Sequence, residues 1–236
     1  MKALIQLVPR AGSEAAFDDR LRHVAGELRR SPHAENLRVN ALFRLADDPL
    51  GPRTPYRGTL EFTSVGADPA AFESLTAGLA SRLADVARLD GSALLLGEEV
   101  VFVESERAPI RYQYLMRAKA GFDHAAYLER YREIHYQFGM RTPGILGYAQ
   151  FHVDFEASRR CATAAGFGVW NFDSVSELHL ESLATFLAAA SKSPVPGEAM
   201  ADEKVFVDRD HSLDFCSTVE WHPTTTTAAS GAVLKN

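Results

Sequence analysis

The strongest constraint on this chain is an order of elements that occurs twice. Residues 2–8, KALIQLV, make a short apolar strand ended by Pro9 and Gly12. Ser13 stands before a helix over 14–29, in which Phe17, Leu21, Val24, Ala25 and Leu28 recur at three- and four-residue spacing, and Pro32 stops it. Alternation marks strands at 36–45 and 56–63, separated by an Asp-, Pro- and Gly-rich loop. Asp68 and Pro69 open a helix over 70–82, and 97–104 supplies a closing strand. The second half repeats the order. It has a strand at 110–118, a helix over 124–138 preceded by Gly121 and Asp123, strands at 146–155 and 174–180, a helix over 183–191 begun by Ser182, and a strand at 213–221.

The order β-α-β-β-α-β is that of the ferredoxin-like split βαβ unit. One such unit leaves one face of its sheet uncovered. Two in one chain can cover each other. The expected fold is therefore α+β: tandem ferredoxin-like βαββαβ units packed sheet to sheet as an internal pseudo-dimeric α/β barrel. The units would span 1–105 and 106–222, with 223–236 as a flexible tail lacking usable periodicity. The length of 236 residues suits two modest domains, and 46% hydrophobic residues support sizeable cores.

Composition narrows the function class. A net charge of −6, shared evenly between the halves, argues against a nonspecific nucleic-acid binder. No stretch approaches the ~18–20 apolar residues of a membrane helix. Cys161 and Cys216 read as reduced thiols, which fits a cytoplasmic setting.

Splitting the strands by alternation gives each two faces. In 147–154, Ala149, Phe151 and Val153 form an apolar face expected to meet the helices, opposite Tyr148, Gln150, His152 and Asp154. In 174–180, Leu178 and Leu180 lie opposite Val175, Glu177 and His179. The faces turned from the helices mix aromatic and hydrogen-bonding groups, as a pocket for a small molecule would; an open, solvated sheet face is the other reading. His135, His152 and Glu177 are the candidate catalytic residues, since imidazole and carboxylate can move protons near neutral pH. Tyr112, Tyr114, Tyr131, Tyr136, Tyr148, Gln150, His179 and Trp170 are the candidate ligand contacts, with tyrosine suited to a small hydrophobic or aromatic, polyketide-like molecule. Phe167, Trp170 and Phe172 in the long connection 155–172 make it either a lid or a packed insertion. No HExxH, CxxC or glycine-rich phosphate motif occurs, so neither a metal, a haem nor any other cofactor is expected.

A series of motifs adds a resemblance. It runs from IRYQYLMRAKAG at 110–121 through FDHAAYLERYREIHYQFG at 122–139 and PGILGYAQFHVD at 143–154. It continues in DSVSELHLESLATFLAA at 173–189 and ADEKVFVDRDHSLDFCSTVEW at 201–221. Over 108–222 this series resembles the EthD domain family of the dimeric α/β-barrel superfamily. The family's helix usually ends in a Trp…His pattern followed by proline. Here His135 takes the histidine position, Tyr131 stands near the aromatic one, and Tyr136 follows instead of Ala-Pro. The first half shows the layout with only His23 in its helix. The resemblance implies a barrel made by pairing two such sheets, normally in a homodimer and here within one chain; a further homodimer stays open. It also implies membership of a superfamily that includes cofactor-free monooxygenases, isomerases, polyketide cyclases and haem-dependent enzymes, so the fold does not select a reaction. Two functions follow. One is a cofactor-free lyase, isomerase, cyclase or oxygenase acting in the inter-sheet cavity, for which His135, His152 and Glu177 should converge. The other is a noncatalytic ligand-binding protein.

Overall fold

Eight antiparallel strands close into one barrel in the order β1-β3-β2-β8-β5-β7-β6-β4. The computed structural model describes residues 1–30, 37–64, 69–76, 78–105 and 107–220. Pro32, Asp68 and the tail from Pro223 lie outside them. The first half contributes β1 (Lys2–Leu7), α1 (Glu14–Arg29), β2 (Leu37–Arg44), β3 (Gly58–Ser64), α2 (Pro69–Thr76), α3 (Leu79–Leu83) and β4 (Ala93–Val103). The second contributes β5 (Ile110–Met116), α4 (His124–Arg130), α5 (Tyr136–Arg141), β6 (Gly147–Val153), α6 (Phe155–Ala165), β7 (Ser174–Leu180), α7 (Leu183–Ala190), α8 (Val195–Phe206) and β8 (Leu213–Glu220). A π-helical turn, Tyr131–His135, joins α4 to α5.

Local chemistry sets most boundaries. Asp123 accepts a hydrogen bond from the Ala126 amide (2.8 Å), Asp154 from Ala157 (2.9 Å) and Ser182 from Thr185 (3.1 Å), capping α4, α6 and α7. The helix expected over 70–82 is two pieces, broken at Gly78, whose φ of +80° suits only a residue without a Cβ. The stripe read on α1 is its buried face. No helix among the described residues is long and apolar enough to cross a membrane.

The halves meet edge to edge and not sheet to sheet. β2 pairs with β8 and β4 pairs with β6, so each half's edge strands find partners in the other. Closure creates two buried layers. Inside the barrel, Leu4, Leu95, Leu115, Phe151, Val175 and Phe215 pack as one cluster. Outside, α1, α2, α3 and α6 cover the first half's strands, with Phe17, Leu21, Phe62 and Phe72 among the core residues.

Two readings are corrected by this arrangement. In β6, Ala149, Phe151 and Val153 point into the barrel, while Tyr148, Gln150 and His152 face the helices. Both faces are buried, so polarity does not identify the helix side. In β5, Tyr112 and Tyr114 likewise face outward to the helices. The middle of the barrel is filled with side chains, and the opening at one end, about 320 Å³ lined by Lys2, Glu61, Glu99, Arg111 and His179, is charged and not the aromatic inter-sheet cavity expected. Of the two readings of the connection 155–172, the structure matches the packed insertion: it is largely α6, capped by Asp154 and packed on β4 and α2.

Candidate functional site

A cavity of about 330 Å³ lies on the outer face of the second half, between β5, β6 and β7 and the helices α5, α7 and α8. Alternation brings Tyr112 and Tyr114 of β5, Tyr148 of β6, and Ser176 and Leu178 of β7 to its floor. His135, Phe138, Phe186 and Met200 line it from the helices, and Arg53, Glu203, Arg209 and Asp214 supply its charges.

The π-turn places His135. A wide turn shifts the residues after it around the helix axis, and such turns are frequent at functional sites. Tyr127, Tyr131 and His135 stack successively, with ring centroids 6.1 and 5.7 Å apart. His135 Nδ1 lies 2.9 Å from Asp202 Oδ2, and Asp202 also holds the Arg130 guanidinium. A carboxylate accepts, so Nδ1 carries the hydrogen and Nε2 keeps its lone pair. Burial pushes the His135 pKa down against the opposing pull of Asp202, so the ring is neutral at pH 7.

Glu203 is the second titrating group. Burial raises its carboxyl to about 7, with Arg209, its ion-pair partner, working the other way. A carboxyl balanced near neutral pH inside an aromatic cavity is suited to proton transfer. The Tyr112 hydroxyl donates weakly to Asp214 Oδ2 at 3.4 Å, and burial raises the Asp214 carboxyl as well.

The three expected catalytic residues are not brought together. His135 lines this cavity. His152 belongs to a separate outer groove with Glu98, His124 and Arg132, its Nε2 2.9 Å from Gln150 Oε1. Glu177 is inside the barrel, where Lys2 bonds to it and also to Glu61 (2.9 Å) and Glu99 (2.7 Å). Arg111 lies 3.0 Å from Glu61 and 3.3 Å from Glu177, and Gln113 donates to Glu177 at 2.7 Å. Burial alone would raise the Glu177 carboxyl, but Lys2 and Arg111 overcome it and hold the group ionised. It is a structural anion, unsuited to act as a base. His179 sits on the same inner face, its pKa lowered to about 4 by burial and by Arg111.

Of the other expected contacts, Tyr112, Tyr114 and Tyr148 line the cavity. Tyr131 is buried beside it, and Gln150 is buried behind Tyr148. Tyr136 stacks on Phe102 at 5.3 Å on the outer surface. Trp170 packs against the first half's core and edge-on to Phe155, away from the cavity. Sequence reasoning missed Asp202, Glu203, Arg209 and Asp214. The signal for the start of α8 was present in Pro196, since proline is favoured in a helix's first turn, but Gly197 beside it disguises the segment as a loop. Among the described residues no group of three or more His, Cys, Asp or Glu side chains is placed to hold a metal ion.

Residues 119–210 match the EthD domain family model. The matched segment covers α4 through α8, and so contains His135, Asp202, Glu203 and Arg209. No curated protein sequence matches the chain significantly. Among solved structures, an anthrone oxidase-like protein superposes with a TM-score of 0.59 at 10% identity, covering 93% of this chain and 90% of that one. A candidate chlorite dismutase gives 0.56 at 10% identity over 93% and 94%. A candidate monooxygenase from Fusobacterium nucleatum gives 0.55 at 11% over 92% and 91%. At these identities the likeness is one of fold.

Proposed function

We propose that the chain is a small-molecule enzyme of the oxygenase, cyclase or isomerase type, acting on an aromatic or polyketide-like metabolite in the cavity beside its EthD segment. The observation that carries this reading is the Glu203 carboxyl, raised to about 7 in a cavity lined by Tyr112, Tyr114, Tyr148 and neutral His135. The shared first step of these reactions is removal of a proton from an acidic carbon beside a carbonyl or an aromatic ring. Ionised Glu203 takes the proton, and His135, held by Asp202, presents Nε2 as a second acceptor or shuttle. The electron-rich anion that results can cyclise, be reprotonated elsewhere or react with dioxygen. The names of the anthrone oxidase-like protein and the candidate monooxygenase favour the last route.

The barrel itself reads as two ferredoxin-like units in tandem, joined near Ser105. Support comes from the strand orders β4-β1-β3-β2 and β8-β5-β7-β6, which are the same order in each half.

The test is incubation of the intact chain with a panel of anthrones and polyhydroxylated naphthalenones, following product by mass spectrometry and dioxygen with an electrode. Turnover that Glu203→Gln lowers at least a hundredfold supports the proposal. Tight binding of the panel with no turnover under any condition replaces it with the noncatalytic binding protein.

A further inference from the structure

Tyr148, Gln150 and His152 share the outer face of β6 and form one hydrogen-bonded line from the outer groove to the cavity. Gln150 is fully buried, and its terminal amide has three neighbours: the Tyr131 backbone carbonyl at 3.0 Å, the Tyr148 hydroxyl at 2.8 Å and His152 Nε2 at 2.9 Å. A backbone carbonyl can only accept, so the group facing it is the amide NH2. The carboxamide oxygen therefore faces His152, whose Nε2 must donate to it. The remaining amide hydrogen goes to the Tyr148 oxygen. The orientation of every member follows from one carbonyl that cannot be reversed.

The Tyr148 oxygen thus receives a hydrogen and must direct its own elsewhere. Beside it lies the Tyr131 hydroxyl, completely buried and lacking a hydrogen-bond partner of good geometry among the described residues. The Ser176 hydroxyl stands on the other side of Tyr131, so Tyr148, Tyr131 and Ser176 form a chain of three hydroxyls. With the Gln150 amide already donating into it, the chain carries one O–H more than it can use internally, and its two ends, Tyr148 and Ser176, line the cavity. Burial also keeps both phenols protonated far above neutral pH, so the donor is never titrated away.

We propose that the Tyr148–Tyr131 phenol pair is an oxyanion site, which binds the negatively charged oxygen of an enolate or phenolate and has its polarity set by Gln150 and His152. This deepens the functional reading above and rests on it: the oxygen bound here is the one that gains charge when Glu203 removes a proton. Donors fixed in place before charge develops are effective because no solvent has to reorganise. Gln150 and His152 act through Tyr148 and are positioning residues.

The test compares 2-naphthol with naphthalene on the full-length protein, reading the naphtholate absorbance band as a function of pH. In the complex, naphthol should ionise at least one pH unit lower than in water, a tenfold preference for the anion. Tyr148→Phe/Tyr131→Phe should abolish that preference while leaving naphthalene affinity within twofold. His152→Leu should weaken it, and His152→Gln, which keeps an N–H for Gln150, should restore it. Naphthol that titrates in the complex as it does in water overturns the oxyanion site while naphthalene binding still upholds the aromatic cavity. Failure of both probes to bind overturns both. An unaltered spectrum in His152→Leu overturns the positioning role.

Discussion

Replacing Glu203 by glutamine should make the protein more stable at pH 8 while removing activity. Glutamine imitates the protonated acid, so the substitution removes only the penalty of ionising a buried group. Raising a carboxyl from its ordinary 4.5 to about 7 penalises the ionised form by about 3 kcal/mol. The sign follows from proton binding. Between those two pH values the folded state holds a proton that the unfolded state has lost, so stability is fully present below 4.5 and falls as pH rises through 7. Above that it is level. For a chain of this size each kcal/mol moves the melting temperature by roughly 2–4 °C, so the variant should melt about 6–12 °C higher than the parent at pH 8. Near pH 4.5 the two should coincide. Calorimetric melting of both proteins from pH 4.5 to 8.5 measures this directly. Parallel curves across that range, or a variant less stable at pH 8, would refute the claim that burial of Glu203 outweighs its pairing with Arg209.

Two further substitutions probe the frame around the site. Lys2→Met leaves Glu61 and Glu177 buried with only Arg111 between them and should lower stability by about 3–5 kcal/mol in urea titration; adding Glu177→Gln should recover part of the loss. Gly139→Ala would normally favour a helix, but its Cβ would stand 2.2 Å from Tyr148 Cζ, so we expect a loss of roughly 1–3 kcal/mol by denaturant titration and weaker naphthol binding.

The element order was legible because each strand and helix carries its own local signal. The α1 stripe, the Asp123 and Ser182 caps and the alternation of β7 all needed only neighbouring residues. What failed depended on residues far apart. Lys2 meets Glu99 and Glu177 across 97 and 175 positions, so nothing near Glu177 in the sequence shows that it is already neutralised. Alternation alone does not tell which face of β6 meets the helices, because a closed barrel buries both sides of a strand. A Phe151 pointing inward is then as apolar as one pointing at a helix. His135 could be singled out from the resemblance and from its place in a helix. Glu203 could not, since its raised pKa comes entirely from the tertiary packing around it.

The two halves share a strand order but use the space between sheet and helices differently. In the first, α1 lies tight on the sheet. Phe17, Leu21 and Val24 are fully buried against Leu60 and Phe62, and Gly58 is needed because a Cβ there would meet Leu21 at 2.4 Å. In the second, the same layer holds phenols, an imidazole and a carboxyl around an open volume. Each of these polar groups stabilises less than the apolar side chain that could replace it. The edge-to-edge ladders β2–β8 and β4–β6 tie this weaker layer to the well-packed half. A single closed barrel therefore lets one half supply rigidity while the other keeps a cavity. An isolated second half would lose both ladders and expose the edges of β6 and β8.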